Sequence, residues 1–234
     1  MKKKICIVIA ALLTLTCLFA LASCGKKSSA PKKEGLEKLV STYHDGVYVG
    51  ANENFTVNLT TGEAEKLIVA DGKVGELARF ATLTVTPLTS SLFNNVYTYV
   101  LIGENGEKTG DLEKDVIGAS FTAEIDAIET IGKISSVKIV AQDILESAVD
   151  LQNKLEGALT WKEIVKIAET EFKDAIEEES DTGALPREIY VKLVNAMASD
   201  DSPYYYYVSF IKSPSDYWAL LLDPVTGAVI SKKV

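Results

Sequence analysis

The sequence predicts an α+β protein: an N-terminal all-β antiparallel sandwich or barrel, followed by an amphipathic helix and a second antiparallel sheet. Three observations carry this. Between Val47 and about Val140, apolar residues alternate with polar ones and turn signals recur at short spacing. Between Thr160 and Ile176 the apolar period switches to that of a helix. Beyond Pro186 alternation returns, now rich in aromatics. The 234 residues are 47% apolar and 24% charged, a composition that buries a core and excludes a disordered or collagen-like chain.

The first predicted domain covers residues 37–142. Phe55, Val57 and Leu59 alternate with polar neighbours up to Thr60-Thr61-Gly62. Leu67-Ile68-Val69 runs into Asp71-Gly72, a tight-hairpin signal, and Val74 to Leu77 leads away as the return strand. Thr82-Leu83-Thr84-Val85 is closed by Pro87, and Val96 to Ile102 ends at Asn105-Gly106, a second hairpin signal. Phe121 to Ile125 and Val137 to Val140 complete the set. Many short strands with frequent turns read as a sandwich or barrel.

Ile144, Leu145, Ala148, Leu151 and Leu155 recur at helical spacing and predict a helical linker over 143–157. In the second domain, 158–234, Thr160 and Glu163 form a capping box: the Thr160 side chain takes the Glu163 amide while Glu163 reaches back. Trp161, Ile164, Val165, Ala168, Phe172, Ala175 and Ile176 share one face of the helix. Glu177-Glu178-Glu179, set against the dipole at its C-terminal end, predict fraying. The strands that follow are Ile189–Leu193, Tyr204–Ile211, Tyr217–Leu222 and Val229-Ile230. Asp223-Pro224-Val225-Thr226-Gly227 makes the last turn, with Gly227 free to take positive φ.

That last hairpin, Tyr217-Trp218-Ala219-Leu220-Leu221-Leu222-Asp223-Pro224-Val225-Thr226-Gly227-Ala228-Val229-Ile230, behind a single amphipathic helix, resembles the PepSY domain. The resemblance covers 158–234. It implies a non-catalytic module of secreted and membrane-attached bacterial proteins that binds or restrains peptidases. A shorter stretch, Tyr43-His44-Asp45-Gly46-Val47-Tyr48-Val49-Gly50, looks like the opening of a flavin-binding lipoprotein domain. The Ser-Gly-Ala-Thr-like motif to which that family attaches its flavin has no counterpart here.

The N-terminus has the layout of a secretory signal: a basic head, Lys2-Lys3-Lys4, and an apolar run from Ile5 to Ala22. Leu21-Ala22-Ser23-Cys24-Gly25 resembles the bacterial lipobox. The resemblance implies cleavage after residue 23, a covalent diacylglycerol/acyl lipid (palmitate among the acyl chains) on Cys24, and a place on the extracytoplasmic side of the cell membrane. Residues 24–36, with Lys26, Lys27, Lys32 and Lys33, then read as a flexible tether. Cys6 and Cys17 leave with the signal, so disulfides, a cysteine nucleophile and thiolate-bound zinc are not expected. Cleavage also removes Lys2, Lys3 and Lys4 but no acid, so the mature chain is more acidic than the net −9 of the whole. An acidic body of this kind argues against nucleic acid as a partner.

No local pattern supports catalysis. His44 is the one histidine and has no nucleophile elbow near it, so it reads as a surface histidine before a glycine turn. Asp200-Asp201 and Glu177-Glu178-Glu179 lack a calcium-loop spacing and read as solvated acidic runs. The expectation is a non-catalytic binding or regulatory lipoprotein with no metal and no cofactor besides its lipid, partnered by the membrane and by a protein or peptide. An extracytoplasmic hydrolase using a pair of acidic residues is the alternative. The most distinctive feature of the mature chain is Tyr204-Tyr205-Tyr206-Tyr207 with Tyr217 and Trp218. One face of that strand must pack on the helix. The other is a candidate partner surface, or else an interdomain core covered by the first domain.

Overall fold

The structure, a computed structural model, describes residues 35–115, 119–141, 144–180, 184–195 and 203–234. The expected signal sequence, the lipobox-like stretch with Cys24 and Asp200-Asp201 therefore lie outside the described residues. From Leu36 to Val234 the chain forms one compact unit built on a 13-stranded sheet.

Nine strands make its first half: β1 (Val40–Ala51), β2 (Phe55–Glu65), β3 (Leu77–Pro87), β4 (Tyr97–Gly103), β5 (Gly106–Lys114), β6 (Phe121–Glu124), β7 (Ile134–Ala141), β8 (Leu145–Asp150) and β9 (Gln152–Asn153). They are ordered β1-β2-β3-β6-β5-β4-β7-β8, and β9, continuing from β8, returns to pair with β1. The strands thus close on themselves as a barrel around Phe55, Leu59, Leu83, Tyr97, Leu101 and Ile139, each fully buried. Tyr97 stands edge-on between Phe55 and Phe121, centroids 5.5 and 4.8 Å away. Its hydroxyl donates to the Leu92 carbonyl at 2.7 Å, which satisfies the one polar atom it takes inside. At the seam, a Cβ on Gly50 would lie 2.0 Å from the Asp150 carbonyl oxygen, so only glycine lets β1 and β8 approach there.

Helices α1 (Trp161–Glu171) and α2 (Lys173–Ser180) come next, then β10 (Glu188–Asn195), β11 (Tyr204–Ser213), β12 (Asp216–Leu222) and β13 (Val229–Lys233). The capping box forms as the sequence predicts, with Thr160 N–H donating to Glu163 Oε2 at 2.8 Å and Glu163 N–H to Thr160 Oγ1 at 3.4 Å. The terminal turn forms too: Asp223 Oδ1 accepts the amides of Val225 and Thr226, and Gly227 takes a φ of 72°. The helices cover one face of β10–β12 and enclose a second core of Ile164, Phe172, Ile189, Tyr206, Val208 and Phe210, with β13 exposed at the edge.

Four expectations are corrected. Residues 143–157 are not a helical linker: Leu145, Ser147, Val149 and Leu151 alternate inward while Glu146, Ala148 and Asp150 point out, so 145–150 pairs with β7 as a strand. The two predicted domains are not separate, because β1, from the first, pairs in parallel with β10, from the second. Leu67-Ile68-Val69 is no strand; β2 ends at Glu65, β3 begins at Leu77, and only the turn at Asp71-Gly72 survives, with Gly72 at φ 80°. The helix breaks at Phe172, whose ring packs with Phe210 and Trp218 at 5.2 and 5.5 Å.

The predicted acidic run does not simply lie in solvent. Glu179 accepts two hydrogen bonds, at 2.7 and 2.6 Å, from Arg187, whose side chain is 3% exposed. Arg187 also donates to Asp216 Oδ1 at 2.9 Å and to the carbonyls of Phe210 and Asp216 at 3.4 and 3.3 Å. Its guanidinium lies 3.9 Å from the centroid of Trp218. One planar cation thereby ties α2, β10 and the β11–β12 hairpin, geometry that lysine cannot reproduce. Replacing Arg187 by alanine leaves Glu179 only the longer contact with Lys212, 3.7 Å away, and uncovers Trp218. The expected loss is about 3–5 kcal/mol in urea unfolding, with Arg187→Lys recovering less than half of it.

Candidate functional site

Alternation along β11 sends Tyr206, Val208 and Phe210 under the helices and Tyr205, Tyr207 and Ile211 to the opposite face. Register then assembles that face. Val194 stands beside Tyr205; Lys192 pairs with Tyr207, and Tyr207 with Leu221; Tyr190 pairs with Ser209, and Ile211 with Tyr217. Tyr205, Tyr207 and Tyr217 are half-buried and belong to neither core. Cations lie over the rings: Lys192 Nζ is 5.0 Å from the Tyr190 centroid and Lys233 Nζ is 3.4 Å from that of Tyr217. Burial raises the Tyr207 hydroxyl pKa, with Tyr217 contributing, and burial lowers the Lys192 ammonium pKa. The acid at the end of the row, Glu188, is fully buried, so the exposed charges that these strands bring to the face are cationic.

The six candidate residues therefore divide. Tyr206 and Trp218 are core residues, 1% and 7% exposed, because their parity points them at α1 and Phe172. Tyr206 donates its hydroxyl to the Leu159 carbonyl at 2.8 Å, and burial pushes its pKa up to about 12. Tyr204 lies on the helix side, packed at the rim of the second core. Tyr205, Tyr207 and Tyr217 keep the role of a surface. Sequence reasoning missed Tyr190 and Lys192, whose signal was the alternation opposite Ile189, Val191 and Leu193.

His44 is not a surface histidine. Its Nδ1 accepts the Leu193 amide at 3.2 Å, and its ring stands edge-on to Phe80 at 6.1 Å. Burial and the nearby Lys192 charge pull its pKa down from 6.5 to about 4. The ring is neutral and structural, with no nucleophile in its hydrogen bond. The neighbouring Asp45 sits in a β-bulge, where it accepts from Thr61 Oγ1 at 2.7 Å and pairs with Arg79. Among the described residues no three His, Cys, Asp or Glu side chains cluster as metal ligands, and no helix is long and apolar enough to cross a membrane. A separate groove of about 240 Å³ runs over Thr56, Asn58, Thr60 and Thr84, walled by Leu193 and Tyr204.

No protein-family model, curated protein or solved structure matches the chain.

His44 yields a pH dependence of definite sign. Its folded pKa lies below its unfolded one, so the unfolded chain binds more protons between about pH 6.5 and 4, and stability falls as pH falls through that window. The full shift corresponds to up to about 3 kcal/mol. Unfolding free energies measured from pH 7 to 4 are expected to show this loss, and His44→Asn, which keeps an acceptor but does not titrate, to flatten it.

Proposed function

We propose that the chain is a bacterial lipoprotein, anchored through lipid on Cys24 at the extracytoplasmic side of the cell membrane, and that it acts as a non-catalytic binding or regulatory module. Tyr205, Tyr207 and Tyr217 take a polypeptide partner. The observation that carries this reading is the placement of these three tyrosines outside both cores, on a sheet face to which β10 and β13 bring half-buried Lys192 and exposed Lys233. Tyrosine supplies large contact area at low conformational cost, which is why interfaces are enriched in it. The basic rim on an otherwise acidic chain selects a partner segment that is polar or acidic rather than basic.

A peptidase is the partner class supported by the PepSY-like order of 158–234: helix first, then an antiparallel sheet ending in the Asp223–Gly227 turn. In that reading the module restrains the enzyme by occupying it, and the acyl chains keep both at one surface. The lipobox-like Leu21–Gly25 stretch, behind a basic head and an apolar run, supports the anchor.

The test is photocrosslinking in intact cells, with a photoreactive phenylalanine analogue at position 207 or, as control, at Ile230, which is 53% exposed on the terminal strand. The expected result is an adduct with one extracytoplasmic protein from position 207 and none from 230, and loss of the protein from the membrane fraction on Cys24→Ala. Equal labelling at both positions, or none at 207, overturns the partner surface; unchanged membrane retention of Cys24→Ala overturns the anchor.

A further inference from the structure

The connection between β2 and β3, residues 66–76, carries the most exposed run of aliphatic side chains described in the molecule: Leu67, Ile68 and Val69, 81%, 67% and 54% exposed. Single exposed aliphatics are ordinary, whereas three in succession on one loop are not. The loop is not slack. Its stem is closed by the Lys66 amide on the Glu76 carbonyl at 3.0 Å and by a Lys66–Glu76 ion pair at 2.6 Å. Inside the stem the Asp71 amide donates to the Val69 carbonyl at 2.9 Å, and Asp71 Oδ1 accepts the Lys73 amide at 3.0 Å.

Two buried carboxylates hold the far arm down. Glu188, 0% exposed, accepts the Gly72 amide at 3.4 Å, and Glu65, 6% exposed, accepts the Gly75 amide. Gly72 is required there: its φ is 80°, and a Cβ would lie 2.6 Å from the Pro186 carbonyl oxygen. Burying two acids to fix a loop is costly, and the more so because Glu188 Oε2 has no hydrogen-bond partner among the described residues. What that fixation achieves is a constant placement of an apolar tip in water.

The position of the loop says what covers the tip. Thr42 pairs with Ala64, so Glu65, where the loop begins, lies at the end of the sheet where β1 starts, next to the Leu36–Leu39 turn through which the chain enters the body. The chain therefore enters the body, at Leu36, at the end that carries the loop with Leu67-Ile68-Val69. Lys66, paired with Glu76, and Lys73 flank the tip; with Asp71 the loop carries no net charge, so it is the apolar side chains that suit a bilayer.

We infer that Leu67-Ile68-Val69 dips into the bilayer that holds the Cys24 lipid, a second membrane contact that sets the orientation of the body. This rests on the lipoprotein reading above and adds to it. A tether of residues 24–36 alone lets the body stray roughly 40 Å from the surface, at about 3.3–3.6 Å per residue. Two contacts at one end hold the tyrosine face at a fixed height instead. The apolar tip supplies the short, shallow insertion typical of interfacial anchors.

The experiment uses the full lipidated protein carrying Ile68→Cys labelled with an environment-sensitive nitrobenzoxadiazole, reconstituted into vesicles of phosphatidylethanolamine and phosphatidylglycerol. Val225→Cys, at a turn residue 62% exposed, is the control. The expected result is blue-shifted emission at position 68 with at least twofold quenching by spin-labelled acyl chains, and water-like emission at 225. Protein that floats with the vesicles while position 68 stays water-like overturns this inference and leaves the anchor standing. So does equal quenching at both positions. Protein that does not float overturns the anchor and the inference together.

Discussion

The twelve residues of β1 hydrogen-bond to three strands, and both cores depend on that sharing. Along its length β1 pairs antiparallel with β2; at its start it pairs in parallel with β10, and at its end antiparallel with β9. The pairings with β10 and β9 place it in different halves of the molecule. Val40 and Val47 contribute to the helix-covered core, while Tyr48 packs against the barrel core. What allows one strand to serve both is the bulge between His44 and Gly46, which changes the parity of its side chains. Asp45 fixes the bulge through Thr61 and Arg79, and Tyr43, just before it, stacks on Trp161 of α1 at 4.4 Å.

The placement of the tyrosine face follows from that arrangement. With β1 holding one side of β10, and Arg187 binding β10 to α2 and to the β11–β12 hairpin, the sheet that carries Tyr205, Tyr207 and Tyr217 is fixed from both directions. The helices cover the opposite face. His44, neutral and bonded to the Leu193 amide, and the loop seated on Glu65 and Glu188 complete the border. A platform of this kind presents aromatic rings without having to order them on binding, which lowers the entropic cost of association.

Much of this was legible in the sequence, and the remainder was hidden for physical reasons. The capping box at Thr160, the turns at Asp71-Gly72 and Asp223–Gly227, and the alternation of Ile189, Val191 and Leu193 each encode their structure locally. β5 does not: its sequence Gly-Glu-Lys-Thr-Gly-Asp-Leu-Glu-Lys is polar, and Leu112 is its one buried residue, so no apolar period announces a strand. Residues 145–151 satisfied two periods at once, and only pairing with β7 chose the strand. The division of the tyrosines was readable from parity. The union of the two halves was not, because a parallel pairing between residues 40–43 and 189–191 leaves no mark in either segment. The partners of Arg187 were equally out of reach, since Glu179 and Asp216 meet it only in the folded chain.

The central claim is that β1 makes the barrel and the helix-covered sheet a single cooperative platform. Native-state hydrogen exchange across a urea series tests it most directly. Amides of β1, β2, β10 and β11 should converge on one opening free energy with one urea dependence, since none can be freed without losing β1. Exchange of β10–β13 through a separate, cheaper opening, with β1 and β2 still protected, would contradict the account and restore two independent domains.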